Sequence, residues 1–173
     1  INNSSNWTSV LYSSNGKVNL KNSLIEGNHS NSYPAGILAK NSNLSLFNIT
    51  LTKNELEYID VGGSVNIEQS SNVNIVNSII WENGNDGSGV YLKPDGFHKT
   101  IYTTHSNIDN GRDGIDNSVI DSVHYFAETN INTDPKFISP NKRYYYITKE
   151  SPCVDTGTNL FQVGSDTILY IPE

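Results

Sequence analysis

The residues of this chain that are best suited to chemistry stand together in one short stretch. It reads Asp95-Gly96-Phe97-His98-Lys99, and so combines a carboxylate, an aromatic ring and two bases. Aromatic rings stack on the apolar faces of sugars, and polar groups beside them bind the sugar substituents. Since Trp81 and Tyr91 lie nearby in the sequence, we predict that Trp81, Tyr91, Asp95 and His98 line a groove that binds a polysaccharide.

The same stretch has a simpler interpretation as a connecting loop whose Phe97 packs down on the protein. Acid–base catalysis needs carboxylates and bases gathered on one face, and the sequence contains no such clustered set. The remaining histidines, His29, His105 and His124, have no spacing typical of metal ligands. The sequence therefore predicts no catalytic residues.

A second stretch, Asp109-Asn110-Gly111-Arg112-Asp113-Gly114-Ile115-Asp116, resembles part of a calcium loop. Such loops place carboxylates at alternate positions around a glycine that allows a sharp turn. The acidic ligand expected at the twelfth position is missing, because Ile120 stands there. We favour a solvated turn, with calcium near Asp109, Asp113 and Asp116 as the alternative, and expect no other cofactor.

Composition narrows the choice of partners. The 173 residues include 11 Lys and Arg against 18 Asp and Glu, which gives a net charge of −7. An acidic surface repels phosphate backbones, so nucleic acid is not an expected partner. No apolar run approaches the roughly 18 residues that a membrane-spanning helix needs, so no membrane span is expected. The single cysteine, Cys153, excludes an internal disulfide.

The elements that position these side chains are repeats of one unit. Residues 18–28 recur as residues 44–54 and again as residues 73–83, at offsets of 26 and then 29 residues. A shorter unit recurs in step with them, beginning at Val10, Ile37, Val65 and Val90. Apolar and polar residues alternate within the copies, and β-branched residues cluster there, which favours strands. This period predicts an all-β solenoid, a right-handed parallel β-helix of about four coils with a C-terminal cap.

Two columns of asparagine keep their places in this repeat. They are Asn22, Asn48 and Asn77, and then Asn28, Asn54 and Asn83. Stacked asparagines can pass amide hydrogen bonds from one coil to the next. We predict that the first column forms a buried ladder, and that the second ends strands or occupies left-handed turns.

The regular pattern stops near residue 108. We therefore expect β-helix coils over residues 1–108, and an irregular coil with a cap over residues 109–173. Terminal repeats of a solenoid are atypical because they must close the core. The prolines of the tail and its aromatic run Tyr144-Tyr145-Tyr146 fit such a cap. The chain contains no Met, which indicates a piece processed or excised from a larger protein.

Three motifs follow one another in the last third of the chain. They are Asn130-Ile131-Asn132-Thr133-Asp134-Pro135-Lys136-Phe137, Tyr145-Tyr146-Ile147 and Ser151-Pro152-Cys153-Val154-Asp155-Thr156-Gly157. In this order they resemble the C-terminal end of bacterial secreted β-helix proteins of the pectin-lyase-like group. The resemblance implies a large protein that is secreted or held at the cell surface. It implies no catalytic residue, because the shared residues belong to the cap.

Three functions are consistent with these features. The leading hypothesis is a non-catalytic terminal segment of a larger secreted or cell-surface β-helix protein, with a scaffold, adhesion or glycan-contact role. The alternative is the C-terminal part of a polysaccharide lyase, hydrolase or epimerase that acts on uronic-acid polymers. A third is a structural subunit that assembles end to end. In the first two, the remainder of the larger β-helix covers the open N-terminal edge, whose strands would otherwise lack partners.

Overall fold

The chain forms a stack of coils built almost entirely from β-strands. The computed structural model describes residues 4–5, 10–31, 34–57, 64–83, 89–115, 122–163 and 165–170. The strands are β1 Ser4–Ser5, β2 Leu11–Ser14, β3 Lys17–Glu26, β4 His29–Ser30, β5 Ile37–Lys40, β6 Asn43–Thr52, β7 Glu55–Leu56, β8 Val65–Glu68, β9 Asn72–Val76, β10 Ile79–Trp81, β11 Val90–Leu92, β12 Lys99–Thr104, β13 Asn107–Ile108, β14 Ser122–Phe126, β15 Phe137–Ser139, β16 Tyr144–Ile147, β17 Leu160–Val163 and β18 Asp166–Tyr170. A single 3-10 turn within these ranges covers Pro140–Lys142.

Three parallel sheets run along the stack. The short sheet has the order β11-β8-β5-β2, the long sheet contains β3, β6, β9, β10, β12, β13 and β14, and a third sheet has the order β1-β4-β7. Val18 pairs with Leu44, and Leu44 pairs with Val73, so the sequence offsets are the steps between coils. The predicted all-β parallel β-helix of about four coils is confirmed.

One apolar core fills the inside of the coils. Leu44, Val73 and Ile101 of the long sheet are fully buried, as are Ile37 and Val65 of the short sheet, and all belong to one cluster. Each coil has too little apolar surface to make a core alone. Stacking buries this surface between neighbours, which stabilises by about 25 cal/mol per Å².

Left-handed residues form the corners of the coils. Positive φ angles of 51°, 54° and 53° recur at Asn22, Asn48 and Asn77. A second corner has angles of 61°, 53° and 50° at Gly27, Lys53 and Glu82. Asparagine and glycine adopt this conformation at the lowest cost, which accounts for asparagine at every position of the first column.

The predicted amide hydrogen bond between coils occurs in the first asparagine column, but its predicted burial is wrong, because the buried column is the second one. Asn48 Nδ2 donates to Asn22 Oδ1 at 2.9 Å, and both side chains are exposed. By contrast, Asn28, Asn54 and Asn83 are only 3%, 1% and 2% exposed, and their amides connect at 2.7 and 3.0 Å. The residue that needs a left-handed backbone occupies the outer corner. The residue after the second corner turns inward and forms the buried ladder.

The tail packs along the flank of the coils that precede it. After β14, which pairs with β12, two antiparallel hairpins follow, β15–β16 and β17–β18. Phe161 packs on the outward-facing Phe47 and Val76. Asn77 also exchanges two hydrogen bonds with Thr158, 81 residues later, at 2.7 and 2.8 Å. The tail therefore fastens to the flank of the coils through both apolar and hydrogen-bonded contacts.

The tail motifs make the contacts that hold this segment in place. Asn130 Oδ1 accepts from the Ser106 N–H at 3.0 Å, just as Ser106 Oγ accepts from the Ser78 N–H of the preceding coil at 3.1 Å. Asn107 Nδ2 donates to the Thr133 carbonyl at 2.6 Å. Within the tail, Ser151 Oγ donates to the Pro135 carbonyl at 2.6 Å. These contacts give the motif residues a structural role.

Candidate functional site

The Asp95-Gly96-Phe97-His98-Lys99 stretch lies in the connection between β11 and β12 and ends on the first residue of β12. Earlier coils turn the equivalent corner with a left-handed residue such as Asn41 or Gln69. In this coil the connection is longer, because residues 93–98 separate Leu92 from Lys99. Lys99 begins β12 at a position one residue before Thr100, which pairs with Asn72. The loop therefore carries its charged groups against the edge of the core.

Lys99 and Asp95 form a buried latch across this loop. The Lys99 side chain has no exposed surface, and its Nζ lies 2.5 Å from Asp95 Oδ1 and 3.0 Å from the Phe97 carbonyl oxygen. Asp95 Oδ1 also accepts from the Phe97 N–H at 3.3 Å, and Oδ2 accepts from the Gln69 N–H at 2.7 Å. Both carboxylate oxygens are thus committed to hydrogen bonds within the protein.

The electrostatics of the loop follow from these contacts. Burial pushes the pKa of Asp95 upward, but hydrogen bonds from Lys99 and from two backbone N–H groups outweigh it, so the pKa lies below its usual value. A carboxylate held ionised by internal donors cannot take up a proton at neutral pH. The arrangement therefore stabilises the loop and does not suit a general acid or base.

The other side chains of the loop point into solvent. Phe97 is 46% exposed, so the interpretation in which Phe97 packs down on the protein is wrong. The buried Lys99 anchors the loop instead. His98 is exposed, and its Nε2 lies 3.5 Å from Thr100 Oγ1. Exposed Phe97 and His98 remain available to a ligand.

The structure does not gather the four predicted sugar-binding residues into one groove. Trp81 ends β10 in the long sheet, whereas Tyr91 lies in β11 of the short sheet. Their neighbours Ile80 and Val90 point into the core. Alternation along a strand therefore directs Trp81 and Tyr91 away from the core on two different sheets. Asp95 and His98 lie in the same loop as each other, and binding by any of the four stays a prediction.

The acidic stretch forms a compact turn at the end of the fourth coil. Asp109 Oδ2 accepts from the Glu82 N–H at 3.1 Å, which joins the turn to the preceding coil. A Cβ atom at Gly114 would collide with the carbonyl oxygen of Asp109, so this position requires glycine. Asp113 is exposed, and Asp116 lies outside the described residues. Within those residues, no group of three or more His, Cys, Asp or Glu side chains could hold a metal ion, and calcium here stays a prediction.

Two buried acids, Glu26 and Glu68, also link parts of the fold. Glu68 Oε1 lies 3.0 Å from Lys93 Nζ of the next coil. Glu26 Oε1 lies 3.7 Å from Arg143 Nε of the tail. Such pairs hold neighbouring segments together, and removal of one partner leaves a poorly solvated charge.

His124 is a partly buried histidine in β14. It pairs with Ile101 in the long sheet, its Nε2 lies 3.3 Å from Thr103 Oγ1, and its Nδ1 has no partner among the described residues. Burial, and then the charge of Arg112, lower the pKa of His124 to about 4. The neutral imidazole is the form that the fold accepts.

We expect His124 to make the fold sensitive to mild acid. The unfolded chain binds a proton at His124 near pH 6.5 and the folded chain only near pH 4. The stabilising difference is therefore complete above pH 6.5 and is lost as the pH falls from 6.5 to 4. His124→Leu should flatten this part of the curve of Tm against pH. If wild type and His124→Leu lose Tm in parallel between pH 7 and pH 4.5, His124 is not the cause.

A pocket of about 160 Å³ lies where the tail crosses the flank. Asn77 and His105 line it from the coils, and Cys153 and Gly157 line it from the tail. Asn107 Nδ2 donates to Cys153 Sγ at 3.2 Å, so the thiol takes part in the contact between tail and coil. The pocket is a seam between two segments of the fold.

Sequence reasoning missed one surface, the outer face of the β15–β16 hairpin. We predicted Tyr144-Tyr145-Tyr146 as part of a cap, but the three rings separate. Tyr145 points inward, with its ring centroid 5.2 Å from that of Phe137. Tyr144 and Tyr146 are 54% and 74% exposed. Aromatic residues two positions apart in a basic segment are the signal that marks this face in the sequence.

No helix in the described ranges is both long enough and apolar enough to cross a membrane. Comparison of the chain with protein-family models, with curated proteins and with solved structures found no match in any of the three.

Proposed function

We propose that this chain is a non-catalytic scaffold segment of a larger β-helix protein that is secreted or held at the cell surface. A further coil of that protein stacks on the first long strand, β3. The observation that carries the proposal is that this strand is paired on one edge only. Its ten residues, Lys17–Glu26, pair with β6 on one side and with no described strand on the other.

The partial burial of side chains in β3 also indicates that a further coil stacks on this strand. Val18 and Leu20 point into the core but are only partly buried. Their partners in the next coil, Leu44 and Leu46, are 0% and 1% exposed. A long strand with an open edge and an incompletely covered apolar side is a surface to which another strand readily adds. A preceding coil of the same kind would complete both the pairing and the core.

The scaffold role is supported by how the charged side chains are used. Glu68 with Lys93 and Glu26 with Arg143 each join separate segments of the fold. Asp95 pairs with Lys99 inside its loop and joins the loop to the preceding coil through the Gln69 N–H. The alternative, a polysaccharide lyase, hydrolase or epimerase, requires its acids and bases in coils beyond this chain. An end-to-end assembly would use the same open edge, but with a second copy as the partner.

Leu20→Lys tests whether a coil covers this edge. In residues 1–173 alone the lysine can extend into solvent, and we expect a loss of about 1 kcal/mol in the free energy of unfolding. In the longer natural chain the same lysine would be enclosed in the core, and the loss should exceed about 3 kcal/mol. Urea unfolding of both forms measures the difference.

Leu46→Lys is the matched control, because Leu46 is enclosed in both forms and its replacement should destabilise both strongly. An equally small loss for Leu20→Lys in both forms would contradict the proposal. Concentration-dependent association of residues 1–173, abolished by Leu20→Lys, would favour the end-to-end subunit instead.

A further inference from the structure

The hairpin Phe137–Ser139 with Tyr144–Ile147 presents two faces of different character. Its inner face is fixed to the coils. Phe137 and Tyr145 pack edge to face, and Arg143 pairs with Glu26 at 3.7 Å. Burial, and then the negative charge of Glu26, raise the pKa of Tyr145, as expected for a phenol held against the protein.

The outer face carries apolar side chains that nothing described covers. Tyr146 is 74% exposed, Tyr144 is 54% exposed and Ile138 is 56% exposed. Tyr144 and Tyr146 are two residues apart in β16, so their side chains lie on one face, about 7 Å apart along the strand. Since the inner face is anchored, these rings are held in place before any ligand arrives, which lowers the entropic cost of binding.

Positive charge surrounds this face. Four of the chain's 11 Lys and Arg lie within residues 136–149, where no Asp or Glu occurs; they are Lys136, Lys142, Arg143 and Lys149. The rest of the chain has seven cations against 18 acids. Neither Lys136 nor Lys142 has a carboxylate within ion-pair distance among the described residues. Arg143 and Lys149 are paired with Glu26 and Glu150, so Lys136 and Lys142 supply the uncompensated positive charge beside the exposed aromatic rings.

We infer that the outer face of this hairpin binds a carboxylated polysaccharide. Tyr144 and Tyr146 stack on sugar rings, and Lys136 and Lys142, at opposite ends of the strands, pair with carboxylates along the same polymer. A polysaccharide chain is narrow enough to contact the hairpin alone. A nucleic acid or an anionic membrane would extend over the acidic remainder, where repulsion opposes binding. Ile138 is also the single aliphatic side chain on this face, too little for insertion into lipid.

The test is binding of polygalacturonate oligomers to residues 1–173, measured by isothermal titration calorimetry at low and physiological salt. We expect Tyr144→Ala/Tyr146→Ala to raise the Kd at least tenfold at both salt concentrations. Lys136→Glu/Lys142→Glu should raise the Kd most at low salt, because screening already weakens these pairs at high salt. Tm measurements on each variant verify that these exposed substitutions leave the fold intact.

Two exposed residues of the same types, located on other sheets, serve as controls. Tyr12 is 58% exposed on the short sheet, and Lys17 is exposed on the long sheet; Tyr12→Ala and Lys17→Glu should leave the Kd unchanged. Equal Kd values for the hairpin variants and the wild type would overturn the inference, as would equal affinity for fully methyl-esterified polygalacturonate. Binding only to phosphatidylglycerol vesicles or to single-stranded DNA would also overturn it. None of these outcomes affects the stacking edge, which the Leu20→Lys experiment tests separately.

Discussion

Asp95→Asn should destabilise the protein by about 3 kcal/mol, a large effect for a residue in a surface loop. The change removes the counter-charge of the fully buried Lys99 ammonium and leaves it with neutral carbonyl oxygens, of the new amide and of Phe97, as its partners. An unpaired buried charge costs about 3–5 kcal/mol. We place the loss at the lower end, because the loop can open and hydrate the lysine. Urea unfolding at pH 7 measures it.

Lys99→Met tests whether the Asp95–Lys99 pair stabilises the loop or takes part in catalysis. Methionine fills the buried space without a charge, and Asp95 keeps its donors from Gln69 and Phe97. We therefore expect Lys99→Met to cost less than Asp95→Asn, and the double variant to recover stability relative to Asp95→Asn alone. A loss of less than about 1 kcal/mol for Asp95→Asn would contradict the latch.

The Asp95–Lys99 pair also predicts part of the loss of folding stability at low pH. Because the pKa of Asp95 is lowered in the folded chain, its contribution is present above the unfolded value of 3.8 and is lost as the pH falls through the folded value. In Asp95→Asn this loss should disappear. It occurs at lower pH than the loss assigned to His124, so the two variants change different parts of the curve.

Asn54→Ala should cost about 4 kcal/mol, because it interrupts the buried ladder at its middle member. Asn54 Oδ1 accepts from the Asn28 N–H at 3.3 Å and from Asn28 Nδ2 at 2.7 Å. Its Nδ2 donates to the carbonyls of Ile25 and Thr52 and to Asn83 Oδ1, at 3.0 to 3.1 Å. Each buried group left without a partner costs about 1–3 kcal/mol. Thermal and urea unfolding both measure the loss.

Asn48→Gly is the matched control from the other asparagine column. The Asn48 side-chain amide also donates a hydrogen bond to Asn22 of the preceding coil, but Asn48 is exposed to solvent. Glycine adopts its φ of 54° without strain. The expected loss is below about 1 kcal/mol, since exposed hydrogen bonds are exchanged for bonds to water. Equal losses for the two variants would show that burial does not distinguish the columns.

Much of the fold could be predicted from the repeat, since the offsets of 26 and 29 residues became the actual steps between paired strands. The direction of individual side chains could not. Asn22 forms one corner and Asn28 follows the next corner, six residues later, and asparagine suits both a left-handed corner and an inward ladder. The pattern of residue types leaves the choice open, and only the positive φ at the first column decides it.

The candidate site was harder to predict, because proximity in sequence did not become proximity in space. Trp81 and Tyr91 are ten residues apart, but a coil places them on different sheets. Lys99 was one of the two bases noted in the loop, yet it begins a strand and its side chain is fully buried. The exposed rings of Tyr144 and Tyr146 depend on long-range packing of the hairpin against Glu26, which periodicity does not reveal.

The most direct test of the central claim is amide hydrogen exchange along Lys17–Glu26, compared with its paired strand Asn43–Thr52. If another coil stacks on this strand in the larger protein, its outward amides should exchange quickly in residues 1–173 and slowly in the longer natural chain. The amides of Asn43–Thr52 should be protected in both. Rapid exchange of Lys17–Glu26 in both forms would contradict the account, because it would show that no coil covers this edge.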